Sequence, residues 1–230
     1  MSRKVVGSMS EWSGLLKDFF RQINDESINL ENLRGFLEHR NPFTKEGKES
    51  SIISYWQDFY RNLFRVDIDL SKLEIPKPQG DFTWPIVTIE RVNEQMLYDK
   101  CAGLFPCWKW TKESLNKVLI PDITSKGTYI ALFRDRVEAD EELKNLSADD
   151  LKEKNIQGIT LKQRLVMELD YFGRTGNHLD IKCFTICSGS RCSGGGAPNV
   201  GWGGGRVRVI WLYSDDRNGN LRSRQQFSFS

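Results

Sequence analysis

Trp12, Leu15, Leu16, Phe19 and Ile23 recur three and four residues apart, with Lys17, Asp18, Arg21 and Gln22 between them. That spacing predicts an amphipathic helix over Glu11–Ile23. Asn29 is a good N-cap residue, and Ile28 is placed to pack on Leu33, so a second helix is expected to present Leu30, Leu33, Phe36 and Leu37 until Asn41-Pro42 ends it. A third runs from about Glu49 to Phe64. Its stripe of Ile52, Ile53, Trp56, Phe59, Tyr60, Leu63 and Phe64 is wide enough to need a packing surface, because helices this short are marginal alone. Val66, Ile68 and Leu70 alternate with charged residues, a short-strand pattern. Pro76-Lys-Pro-Gln-Gly80 then stops any regular element.

After that break the pattern shifts. Phe82–Arg91, Cys107–Thr111 and Thr128–Phe133 read as strands. Asn93 is expected to cap a helix that Gly103 stops, and Thr111 a shorter one with Leu115, Val118 and Leu119. Three capping signals follow: Asp135 with Glu138, Ser147 with Asp150, and Thr160 with Gln163. The last opens a helix carrying Leu161, Leu165, Val166, Leu169 and Phe172 that ends before Gly176.

The tail alternates like β-structure. Ile181, Cys183, Thr185 and Cys187 share one parity, Phe184 and Ile186 the other. Asn218-Gly219 between two alternating runs is a hairpin signal. A two-residue turn there sets Tyr213 opposite Arg224 and Trp211 opposite Gln226. One face then carries Val209, Trp211, Tyr213, Arg224 and Gln226, and the core face Ile210, Leu212, Phe227 and Phe229; a slip of one residue exchanges them. The expected fold class is α+β: an N-terminal helical segment over residues 1–75 and a mixed part over residues 76–230 ending in an antiparallel meander.

Composition changes this picture little. Hydrophobic content is 39% and charged content 28%, with seven tryptophans and thirteen phenylalanines, ordinary for a chain that builds a core. Net charge is only +2, but its distribution is uneven: residues 135–153 hold eight acidic and three basic side chains, residues 174–230 three acidic and eight basic. The basic end favours an anionic partner. No apolar run reaches the ~18 residues a membrane helix needs, and the N-terminus lacks the apolar core of a secretory signal. Five cysteines, an odd number, read as reduced thiols. The expected location is cytoplasmic.

Several blocks resemble one family: Val137–Leu146, Ile156–Leu161, Arg174–Asp180, Cys187-Ser-Gly-Ser-Arg191 and Leu221-Arg-Ser-Arg224, with Leu16–Ile23 near the start. They are similar to segments of uncharacterised proteins of uncultivated candidate-phylum bacteria, known largely from groundwater metagenomes. The resemblance implies a bacterial, intracellular protein and no particular activity, cofactor or catalytic residue.

The sequence offers four candidate chemistries. Cys101/Cys107 and Cys187/Cys192 are spaced wider than the tight pairs of structural zinc sites, so neither a metal nor another cofactor is expected. Cys187, beside Arg191, is a candidate nucleophile with His178 as its base. The Ser188-Gly-Ser190-Arg191 loop offers N–H groups, hydroxyls and a guanidinium to an anion, but lacks the P-loop pattern. Arg206, Arg208, Arg222 and Arg224, interleaved with Trp202, Trp211 and Tyr213, combine phosphate-neutralising and base-stacking groups, with Arg191, Arg222 and Arg224 the expected phosphate contacts. The leading expectation is a protein that binds RNA, single-stranded DNA or another phosphate-bearing ligand through its C-terminal sheet. The alternatives are a small enzyme using Cys187 and His178, and a protein-interaction module presenting the aromatic N-terminal helices.

Overall fold

The computed structural model describes residues 9–24, 28, 30, 33–34, 47–120 and 127–228. They form two compact units, Met1–Ile52 and Ile53–Ser230.

In the first unit, helix α1 spans Met9–Asn24. Asp18 accepts from Arg21 and Gln22, each at 2.7 Å, and so ties up the polar face. Leu16, Phe20 and Ile23 remain exposed. The helix expected from Asn29 lies largely outside the described residues.

Helix α2, Gly47–Phe64, runs across the division into the second unit. There Trp56, Phe59 and Tyr60 are buried in mutual edge contacts, and the Tyr60 hydroxyl donates to the Val87 carbonyl at 2.7 Å. The strand expected at Val66–Leu70 does not form. Leu70 is buried, but the segment stays irregular, and the Ile68 carbonyl is taken by the Gln57 side chain.

The remaining elements follow the capping and alternation signals closely. Strand β1 is Phe82–Thr88 and helix α3 is Glu94–Leu104, with the Asn93 side chain accepting from Met96 N. Strand β2 is Cys107–Lys109. Helix α4 is Leu115–Val118, with Ser114 rather than Thr111 at the cap position. Strand β3 is Tyr129–Arg134. Helix α5, Ala148–Glu153, and helix α6, Leu161–Thr175, both open with complete capping boxes, Ser147/Asp150 and Thr160/Gln163. Gly176 ends α6 at φ +69°. The helix expected from Asp135 is replaced by a single 3-10 turn at Glu141–Leu143. Glu138 is unavailable to cap it, because its carboxylate accepts from Lys182 N and the Cys183 thiol.

Helix α6 is the centre of the unit. Its segment Gln163–Asp170 is buried throughout, and it packs on α3, β1 and strand β5, Ala197–Trp202. Each of Leu161, Leu165, Val166 and Leu169 contributes about 1.5–3 kcal/mol on burial.

Two sheets flank this helix. β1 and β3 pair antiparallel. The larger sheet has the order β2-β6-β5-β4-β7, with β4 at Phe184–Ile186, β6 at Val207–Leu212 and β7 at Leu221–Arg222. β4, β5 and β6 form the antiparallel meander expected of an α+β chain. The edge strands β2 and β7 join in parallel, on β6 and β4 respectively.

That topology overturns the expected Asn218-Gly219 hairpin. β7 pairs with β4, setting Leu221 opposite Phe184, so Tyr213 and Trp211 do not face Arg224 and Gln226. Neither Asn218 nor Gly219 takes a positive φ, as a tight type I′ hairpin requires. Asn218 instead folds its side chain onto Asn220 N. The tight turn lies earlier, between β5 and β6. Gly203 N bonds Arg206 O at 3.0 Å, and both central residues have positive φ, +62° at Gly204 and +74° at Gly205. The face assignment changes as well: Val209 is fully buried, while Ile210 and Leu212 are only partly so.

Candidate functional site

Register divides the larger sheet into two faces, because residues opposite one another across a ladder point the same way. Val200, Val207, Val209 and Thr185 lie on the inner face, buried towards α6. The outer face carries Ile186 and Ala197 at one end, where they cluster with Leu221 and with Ala148 of α5, and Phe184 packs partly buried against that cluster. Exposure rises towards β2, where Arg208 is partly exposed and Trp108 is exposed.

The more exposed end holds one row across four strands. Gly201 pairs with Arg208, and Arg208 with Trp108. Phe184 completes the row from β4: a Cβ at Gly201 would meet the Phe184 ring at 2.7 Å, so only glycine leaves it room. Across the row the Arg208 guanidinium lies 5.3 Å from the Trp108 ring centroid, and Trp108 is 38% exposed. Gly203 adds a second bare position, with Phe184 and Arg208 each about 3.5 Å from where its Cβ would stand. Arg206 projects from the tight turn beside this row and is exposed.

Several arginines elsewhere in the unit are ion-paired. Arg134, Arg136, Arg164, Arg174, Arg222 and Arg224 each hold a carboxylate at 2.5–2.9 Å. No carboxylate of the described residues lies within ion-pair reach of Arg206 or Arg208.

Apart from Arg206 and Arg208, the residues singled out from sequence fall elsewhere, for structural reasons. Arg224 is 1% exposed, and its guanidinium meets Asp180 at 2.7 Å and the carbonyls of Arg136 and Val137 at 2.8 Å. Arg222 pairs with Glu141 at 2.5 Å. Arg191 turns back on its own loop, donating to the Ser188 and Ser190 carbonyls at 2.7 and 3.0 Å. The Ser190 hydroxyl accepts from Leu161 N at the start of α6, and the Ser188 hydroxyl bonds that of Ser223. The groups of the Ser/Gly loop expected to bind an anion are thus engaged within the loop, with Ser223 and with the start of α6. Trp211 covers Gly196, where a Cβ would lie 2.5 Å from the indole, and meets Tyr213 edge-on. Tyr213 is 65% exposed, away from the Phe184–Trp108 row. Trp202 lies on the inner face, stacked on His178 at 3.8 Å.

Cys187 and His178 have separate surroundings. Cys187 is fully buried, and burial pushes its thiol well above the ordinary range despite the nearby Arg164. Its thiol makes a long hydrogen bond to the Thr185 carbonyl. His178 directs Nδ1 at the buried Glu168 carboxylate at 2.8 Å, with its ring held between Trp202 and Phe172. No hydrogen bond joins the two.

Behind the inner face a buried charge chain runs His178–Glu168–Arg164–Asp180–Arg224. Asp180 takes φ +54°, a left-handed backbone that places its carboxylate between the two guanidiniums and the Thr185 hydroxyl. Burial would raise its carboxyl, but Arg224 and Arg164 hold it below the usual carboxylate value. Glu138, Asp180 and Cys183 also bring donor atoms within 4.8 Å of one another. Those donors are engaged: Asp180 by the two arginines, and Glu138 by Lys182 N and the Cys183 thiol. The guanidiniums supply the positive charge a cation would bring, so the set does not fit a metal.

The other thiols are equally muted. Cys101 is buried in α3, and burial lifts Cys107 to about 12 and Cys192 to about 11. No family model matches the chain, and no curated protein or solved structure resembles it significantly. No helix among the described residues is long and apolar enough to cross a membrane.

Arg206 and Arg208 are legible in the sequence as basic residues of the tail, but Trp108 and Phe184 are not legible as their neighbours. Trp108 enters only through a parallel pairing with a distant strand.

Proposed function

We propose that the protein binds single-stranded nucleic acid on the more exposed end of the outer sheet face. The observation that carries this reading is the row Phe184–Gly201–Arg208–Trp108, flanked by Arg206. It sets two aromatic rings beside two guanidiniums that have no carboxylate partner among the described residues. Aromatic side chains stack on unpaired bases whatever their identity, and arginines neutralise phosphates. A side chain on Gly201 or Gly203 would crowd the row. The ligand class and the two arginines are those expected from the sequence, while the aromatic partners Trp108 and Phe184 are new.

Retention on an immobilised single-stranded DNA column tests the proposal. Elution is expected to need added salt, and Arg206→Ala/Arg208→Ala to lower the salt needed, because about two released counterions are lost from the salt slope. Substituting Arg222 and Arg224 instead is expected to act through folding, since both are already ion-paired. Equal retention of the wild type and the Arg206/Arg208 double variant would sink the proposal.

A further inference from the structure

Within the unit Ile53–Ser230, the last turn of α2 and one side of α3 line a groove of about 550 Å³, the size of a small-molecule site. Leu63 and Phe64 of α2 and Met96 and Leu104 of α3 are its apolar lining. Met96 and Leu104 are exposed there, at 38% and 47%. Gly103 lines the groove too, and a Cβ on it would meet nothing within 4 Å. A glycine inside a helix costs stability relative to alanine. The fold makes no other use of this one. It does not take a positive φ, and α3 is closed by Phe105, whose N–H bonds the Cys101 carbonyl at 2.9 Å. Its missing side chain leaves the groove unobstructed.

Charge selects the occupant. Arg65 and Lys100 line the groove, and neither is ion-paired among the described residues. The Lys100 amine lies 5.7 Å from the Phe64 ring centroid, so cation and apolar wall adjoin. Asp99, the carboxylate of the lining, accepts from the Gln95 side chain at 2.6 Å. The closing carbonyls of α2 already have partners: Tyr60 O accepts from Val66 N at 3.3 Å and Arg61 O from Arg65 N at 3.0 Å. Arg65 makes this closing turn at φ +58°, a left-handed backbone that favours glycine, so a guanidinium stands at the groove where a smaller residue would be less strained.

We infer that the groove binds one free anionic amphiphile, a long-chain carboxylate, with its alkyl chain along Leu63, Phe64, Met96 and Leu104 and its head group at Arg65 and Lys100. This site is separate from the sheet face and does not rest on nucleic-acid binding.

Isothermal titration calorimetry of the full chain with dodecanoate, kept below its micelle concentration, tests the assignment. Dodecanoate is expected to bind, and octanoate to bind at least about tenfold more weakly, because a buried methylene is worth roughly fourfold. Dodecyltrimethylammonium, with the same chain and the opposite charge, should also bind at least about tenfold more weakly. Arg65→Gln/Lys100→Gln should weaken dodecanoate about tenfold and leave dodecanol unchanged. Gly103→Leu should abolish binding by filling the groove. Its thermal melt should hold or rise, because leucine is the better helix former and the space above Gly103 is empty. No binding of dodecanoate, equal affinity for dodecyltrimethylammonium, or undiminished binding by Gly103→Leu overturns the inference. Sedimentation with phosphatidylglycerol vesicles without binding of free dodecanoate overturns it in favour of a lipid surface.

Discussion

Asp180 Oδ1 lies 2.7 Å from Nη2 of Arg224, with both side chains out of contact with water. The pair ties the segment after α6 to the last residues of the described chain. Through Arg164 it reaches Glu168 in the middle of that helix. Arg224→Met should therefore cost about 3–5 kcal/mol of stability, because it leaves the buried Asp180 carboxylate with one guanidinium instead of two. Urea denaturation measures this. The double variant Asp180→Asn/Arg224→Met should lose less than the sum of the single changes.

Acid should unfold the protein through the same chain. Asp180 is held below its ordinary value by Arg224 and Arg164 against the opposing effect of burial. Glu142 is lowered to about 2, chiefly by its hydrogen bond from Arg136. A carboxyl lowered in the folded state stabilises the fold above its unfolded value of about 4, and that stabilisation is lost as pH falls through the folded value. Asp140 works the other way: burial raises it, so its contribution is present at low pH and lost as pH rises through its folded value. The urea midpoint should fall on going from pH 5 towards about pH 2, and Asp180→Asn should flatten that fall. A midpoint independent of pH in the wild type would contradict this assignment.

Thiol chemistry should be slow throughout the native fold. Cys101, Cys183, Cys187 and Cys192 are buried, and Cys107, the one half-exposed thiol, is raised to about 12. With iodoacetamide at pH 7, native protein should label far more slowly than denatured protein, with Cys107 reacting first. Rapid and selective modification of Cys187 would revive it as a nucleophile.

Gly196→Ala should destabilise by about 1–3 kcal/mol, because the new Cβ would stand 2.1 Å from the Leu212 carbonyl oxygen and 2.5 Å from the Trp211 indole. Gly194→Ala is the control, since its Cβ would meet only Trp211, at 4.0 Å. A thermal melt showing equal shifts for the two would argue against tight packing of Trp211 on Gly196.

The local grammar of the chain was legible. Asn93, Ser147 and Thr160 cap helices because each cap needs only a side chain and an N–H three residues on, both encoded within one turn. The burial of α6 follows from its apolar spacing. The site was less legible. Arg224 has the composition of a surface residue and becomes a core residue only because Asp180, forty-four positions away, is folded against it. Arg208 carries the same side chain and stays on the open face because its β neighbours are Gly201 and Trp108.

The sequence alone thus determined the α+β class, the main helices with their caps, and the alternation that builds a C-terminal meander. Only the tertiary structure decided that Gly204-Gly205 rather than Asn218-Gly219 makes the tight turn, that β7 joins β4 in parallel, and which aromatic and arginine residues share a surface. Caps and periodicities are set by neighbours a few residues away. Strand order, register and the pairing of buried charges are chosen by contacts between segments far apart in the chain, where one step in register exchanges the buried and open faces.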